Sequence, residues 1–220
     1  MSKSLINNTS SDANPNAGPV ATVWLLDGRS VGDDQLLPYV SWLTPDELQR
    51  YQRFLRPERQ RQFLLGRILL RYSLGELLDI APSSISLSER PGHAPVLNLK
   101  QGLPGFSLSH SGPWVACAVS EQSALGLDIE LLNGARDLLA LAEQAFDATE
   151  CTLLTEKQGD ARVAAFYTLW STKEARYKLA STATSDSVAH CMTFPHTDIS
   201  IVLCSELPLT DARVRIFDNW

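Results

Sequence analysis

Two long segments, Glu58–Leu78 and Asp160–Leu179, are written as helices, and each lies among short runs written as strands. A helix with an apolar face must bury it, and neighbouring antiparallel strands supply the surface. The sequence therefore predicts an α+β fold in two halves, 21–122 and 123–220, behind a flexible tail over residues 1–20. That tail is rich in Ser, Asn, Asp and Ala and has neither an apolar stretch nor a cleavage pattern, so it does not read as a secretory signal.

Local signals fill in the halves. Thr44-Pro45-Asp46-Glu47 combines a capping threonine, a proline at the first helical position and a glutamate that closes a capping box. Asp147-Ala148-Thr149-Glu150 repeats that chemistry before another helix, and Asp137–Phe146 reads as one more. Val23–Leu26, Ile85–Ser88, Phe106–Ser109, Trp114–Val119, Ile199–Leu203 and Val214–Phe217 read as strands. His110-Ser111-Gly112-Pro113 reads as a turn. Trp114–Val119 and Leu125–Glu130, joined by Glu121-Gln122-Ser123, read as a β-hairpin.

A formal net charge of −6 argues against a generally basic nucleic-acid binder. No apolar run approaches the roughly 20 residues that span a bilayer. The four cysteines, Cys117, Cys151, Cys191 and Cys204, form no C-x-x-C pair, so reduced thiols in a cytoplasmic chain are expected, with Cys117 a small buried hydrophobe.

Three groups of residues could carry chemistry. Asp128 and Glu130 are two apart in a strand, so their carboxylates share a face. Such a pair either meets water at a strand end or holds a hard cation such as Mg²⁺ or Mn²⁺. Glu174 and Lys178 are four apart in a helix: either a surface ion pair, or a carboxylate and an ammonium that serve a phosphate. Ser109-His110-Ser111-Gly112 could offer hydroxyls, backbone N–H groups and an imidazole to a phosphate, and no Gly-x-Ser-x-Gly elbow supports a serine hydrolase. The arginines from Arg50 to Arg71 form either solvated helix faces or a local basic surface for an anion.

In chain order these fragments are Arg61 with Leu65-Gly66-Arg67, then Phe106-Ser107-Leu108-Ser109-His110-Ser111-Gly112, then Gly126-Leu127-Asp128-Ile129-Glu130, then Trp170-Ser171-Thr172-Lys173-Glu174-Ala175. The set resembles the 4'-phosphopantetheinyl transferases of the Sfp type, from about Val23 to Lys178. The resemblance implies a pseudo-twofold pair of α+β halves with the active site between them. It implies transfer of the phosphopantetheine arm of coenzyme A to a serine of an apo acyl or peptidyl carrier protein, with release of 3',5'-ADP. By motif, Asp128, Glu130 and Glu174 would hold Mg²⁺, with Mn²⁺ an alternative, and Glu174 and Lys178 would act in catalysis. Ser109, His110, Arg61, Arg50 and Lys173 would bind coenzyme A, with His110 on its 3'-phosphate. A cytoplasmic monomer without nucleic-acid or membrane partners is expected, with the carrier docking near the loop Ala180–Ser187. A non-catalytic module that binds carrier or coenzyme A is the alternative; three acidic residues of the motif favour the enzyme.

Overall fold

The computed structural model describes residues 18–90, 92–99, 104–183 and 188–218. Along the chain run β1 (Val20–Asp27), α1 (Asp33–Leu36), α2 (Pro45–Gln52), α3 (Pro57–Leu78), β2 (Leu87–Ser88), β3 (Val96–Leu97), β4 (Gly105–Ser111) and β5 (Trp114–Ser120). Then follow β6 (Leu125–Leu131), α4 (Leu138–Ala145), α5 (Ala148–Thr155), α6 (Gly159–Ala180), β7 (His190–Phe194), β8 (Ile199–Ser205) and β9 (Asp211–Ile216). Most of the expected tail and residues 184–187, the second half of the expected docking loop, lie outside the described residues. Val20, assigned to that tail, already opens β1.

β5 shows how the layers arise. It is buried along its whole length, and successive side chains enter opposite cores. Val115, Cys117 and Val119 pack under α3 with Leu65, Ile68 and Leu69. Ala116 and Ala118 turn the other way, with Val23 and Leu25 of β1, and meet Leu127, Ile129, Ile201 and Leu203 of a second sheet. On the far side of that sheet, Ala175 and Leu179 of α6 pack on Val202 and Cys204. The order is helix, sheet, sheet, helix, in which two similar helix-on-sheet halves bury their sheets against each other. The first sheet has the strand order β4-β5-β1-β9, and the second β6-β8-β7. β9 comes from the end of the chain yet lies parallel to β1 in the first sheet, so the strand signal near Val214 belongs to the other half's sheet.

The expected β5–β6 hairpin does not form. β5 has β4 on one side and β1 on the other, both antiparallel, and therefore no free edge for β6. The hairpin is β4–β5, turned at Gly112-Pro113, with Gly112 at φ +54 where L side chains are strained. His110 and Ser111, expected in the turn, are the last residues of β4 and pair with Val115 and Trp114.

Both capping boxes form: Thr44 N–H donates to Glu47 Oε2 at 2.9 Å, and Asp147 N–H to Glu150 Oε2 at 2.9 Å. Glu47 does more than cap. It is fully buried and accepts from Arg71 Nη2 at 2.6 Å, with Arg67 Nε 3.0 Å away. Arg67 also binds Glu89, which takes Arg50 at 2.5 Å. Arg67 and Arg71 are thus neither solvated nor free for an anion; they are a buried ion network that ties α2 to α3. Cysteine chemistry departs from expectation as well. Cys191 and Cys204 face each other in β7 and β8, Cα atoms 4.0 Å apart, and form a disulfide instead of two reduced thiols. Their pairing comes from strand register, which the spacing of the cysteines does not display. Cys117 is buried as expected, and burial pushes its thiol up to about 12. Among the described residues no helix is long and apolar enough to cross a membrane.

Candidate active site

Alternation along β6 sends Leu127 and Ile129 into the inter-sheet core and leaves Asp128 and Glu130 on the side of α6. Gly126 lets the helix come that close: a Cβ there would lie 2.0 Å from the Ala175 carbonyl and 2.6 Å from Leu179 N. This contact sets Lys178 against the strand. Its ammonium donates to Asp128 Oδ1 at 2.8 Å, to the Leu127 carbonyl at 2.9 Å and to Ser109 Oγ at 3.1 Å. The ordinary Glu174–Lys178 helix pair is therefore not made, because Lys178 is held by the second sheet. Asp128 is 4% exposed, and its Oδ2 is buried with no hydrogen-bond partner among the described residues.

A cavity of about 550 Å³ opens beside these groups. Asp128, Glu174 and Lys178 line one part of it; Arg59, His110, Arg50 and Arg67 line another. Two faces of opposite charge thus share one cleft between α3 and α6. His110 sits exposed at the mouth, yet enough protein crowds its ring that loss of water, and then repulsion from Arg59, push its pKa below the usual imidazole value. Glu130 moves the other way. Burial chiefly raises its pKa, with the charges of Asp128 and Glu174 adding, against the hydrogen bond from Ser111.

The structure brings Arg50, Ser109, His110, Asp128, Glu174 and Lys178 to the cavity wall, and leaves Arg61 and Lys173 off it. Arg61 donates to the carbonyls of Gly28, at 3.0 Å, and of Val31, and to Asp33. Lys173 pairs with Glu150 at 3.0 Å and lies over the Phe146 ring, joining α6 to α5. Helical phase separates Arg61 from the cleft. Arg59, Gln62, Phe63 and Gly66 recur at one face and line the cavity, while Arg61 points elsewhere. Arg59 lines the cavity and was not among the expected site residues.

The expected convergence of Asp128, Glu130 and Glu174 is not made: among the described residues no three His, Cys, Asp or Glu side chains stand together as a metal site. Lys178 neutralises Asp128 in their stead, and Glu130 turns to Ser111, whose hydroxyl donates to its Oε2 at 2.8 Å. The donor chemistry nonetheless suits a hard dication. The Asp128 Oδ2 atom is buried and orphaned, and Glu130 feels the negative charge of both other acids.

A model of the 4'-phosphopantetheinyl transferase superfamily matches residues 124–215, and one of the N-terminal part of 4'-phosphopantetheinyl transferase matches residues 31–122. The 4'-phosphopantetheinyl transferase HetI of Nostoc sp. is 34% identical over 190 residues, which cover 86% of this chain and 75% of that protein. The chain belongs to the 4'-phosphopantetheinyl transferase family. The transferase is also 30% identical to AcpT of Escherichia coli over 166 residues, 70% of this chain and 79% of the relative. It is 31% identical to Sfp of Bacillus subtilis over 152 residues, 68% of this chain and 65% of the relative. The two family matches meet at Ser123, in the link through which the transferase passes from β5 of the first sheet to β6 of the second.

Proposed function

We propose that the transferase moves the 4'-phosphopantetheine arm of coenzyme A to a serine of an apo acyl or peptidyl carrier protein and releases 3',5'-ADP, with Mg²⁺ as its cation. The observation that carries this reading is the divided cleft, with Arg59 and His110 on one part and Asp128, Glu174 and Lys178 on the other. Coenzyme A needs both: cations for the 3'-phosphate on its ribose and a charge-neutralising centre at the pyrophosphate phosphorus attacked. His110 and Arg59 bind the 3'-phosphate, and Arg50 assists from α2. Glu174 accepts the proton of the incoming serine, whose oxygen forms the new bond to phosphorus as the bond to the departing nucleotide breaks. Lys178, already beside Asp128, donates to the oxygens of the leaving group. Asp128, Glu130 and Glu174 would have to draw together to hold a divalent cation, which would supply charge neutralisation at the pyrophosphate.

In this reading the halves 21–122 and 123–220 are related by a pseudo-twofold, and the carrier's serine enters near the end of α6. The chain acts as a cytoplasmic monomer, and its net charge of −6 supports the absence of a nucleic-acid partner. The deciding experiment mixes the protein with coenzyme A, Mg²⁺ and an apo carrier and weighs the carrier. A gain of one phosphopantetheine group is expected. Coenzyme A binding without any gain, across fatty-acid, polyketide and peptide carriers, makes it a binding module.

A further inference from the structure

The junction of β4 with β6 is built from side chains. Ser107, Ser109 and Ser111 alternate along β4, so their hydroxyls face the edge of β6. Each accepts a backbone N–H from that edge: Leu127 at 2.9 Å, Ile129 at 3.2 Å and Leu131 at 2.9 Å. A hydroxyl that accepts an amide N–H keeps its own proton for another acceptor. The β6 residues just before those amides are Gly126, Asp128 and Glu130. Gly126 has no side-chain acceptor to offer Ser107. Ser109 donates to Asp128 Oδ1 at 3.0 Å, and Ser111 to Glu130 Oε2 at 2.8 Å. One repeated contact thus joins the two sheets at three rungs and fixes a carboxylate at two of them.

The two carboxylates differ in what else holds them. Asp128 has Lys178 as well as Ser109. Glu130 has Ser111 as its one hydrogen-bond partner among the described side chains. We propose that Ser109 and Ser111 are positioning residues that register the carboxylates of Asp128 and Glu130 to the sheet junction for the divalent cation, and that Glu130 depends on Ser111 for its aim. The inference rests on the cation reading given above. Groups that hydrogen-bond a metal ligand and hold its orientation change metal affinity when removed, although they never touch the ion.

Ser107 is the built-in control, since it makes the same junction bond and holds no carboxylate. The test compares Ser111→Ala, Ser107→Ala, Ser111→Thr and Ser111→Val. Free Mn²⁺ is titrated by electron paramagnetic resonance with and without coenzyme A, and the thermal midpoint of each variant is recorded. Both alanine variants are expected to lower the midpoint, since each loses a junction bond. Only Ser111→Ala is expected to weaken Mn²⁺ binding, by about 10-fold, the low end for loss of such a partner. Ser111→Thr keeps the hydroxyl and retains the affinity. Valine has the shape of threonine without the hydroxyl, so the Val–Thr difference carries the test if Ser111→Ala does not fold. Equal weakening by Ser107→Ala and Ser111→Ala, or unchanged affinity in Ser111→Ala and Ser111→Val, overturns the proposal while the cation reading stands. A wild-type chain that binds no Mn²⁺ in either condition removes the cation reading and the proposal with it.

Discussion

The two 22-residue helices, α3 and α6, each pack on a sheet and treat charge in opposite ways. In α3, Arg67 and Arg71 are 5% and 0% exposed, and Glu47 and Glu89 answer them within the same half. In α6, Glu174 faces the cleft without an ion-pair partner among the described residues, and Lys178 reaches across to the strand. Closed charge sets hold elements together. Glu130, by contrast, is raised in pKa chiefly by burial, with the charges of Asp128 and Glu174 adding to it. The contrast separates stability residues from site residues in a way that the counts of Arg, Asp and Glu do not.

Breaking the closed set is expected to have the largest effect. Glu47→Ala leaves Arg71 buried without its carboxylate and is expected to destabilise the fold by about 3–5 kcal/mol, read from chemical denaturation. Replacing the pair together, Glu47→Leu with Arg71→Met, is expected to recover much of that loss. A double variant as unstable as the single one would mean that the network does more than satisfy itself.

Opening the other set affects rate. Glu174→Gln is expected to lower kcat by about 10²–10³-fold, as loss of a group that stabilises developing charge does, with the thermal midpoint little changed. A large drop in midpoint would move Glu174 into the same class as Glu47.

Arg59 and Arg61 sharpen the comparison within one helix. Arg59→Ala is expected to raise KM for coenzyme A by about 10-fold, the loss of one hydrogen bond to a charged group. Arg61→Ala is expected to leave KM unchanged and to lower the thermal midpoint, because its partners are the carbonyls of Gly28 and Val31 and the Asp33 carboxylate. The reverse pattern would restore Arg61 to the site.

The smallest expected effect is on pH dependence. His110 has a lowered pKa in the free protein, so the folded state binds fewer protons than the unfolded chain, and stability falls as pH drops below the ordinary imidazole value of about 6.5. A bound phosphate raises that pKa, so coenzyme A affinity is expected to increase by a few-fold as pH falls from about 7.5 to about 6.5. Calorimetry in buffers of different ionisation enthalpy would show the proton uptake. His110→Ala is expected to remove it and to weaken coenzyme A more than 3'-dephospho-coenzyme A, with Arg59 keeping part of the preference; equal loss for both ligands shows that His110 does not read the 3'-phosphate.

Local chemistry fixed much of this protein in advance. Capping boxes at Thr44 and Asp147 start helices because side chains within three residues satisfy the first amides. Alternation along β6 put Asp128 and Glu130 on one face, and the four-residue spacing of Glu174 and Lys178 put both at the cleft. Edges, phases and partners were decided elsewhere. Whether β6 pairs with β5 depends on β1 having occupied that edge, a contact about a hundred residues away along the chain. β7 gave no usable strand signal, and its pairing with β8 brought Cys191 to Cys204. Arg67 and Arg71 look like any surface arginines until α2 folds Glu47 onto them. Lys178 chose Asp128 over Glu174 because Gly126 admits α6 against the strand. Period and capping act over three or four residues and can be read from the chain alone. The choice of edge, of buried counter-charge and of which hydroxyl holds which carboxylate depends on segments far apart in sequence, and only the packed tertiary structure sets it.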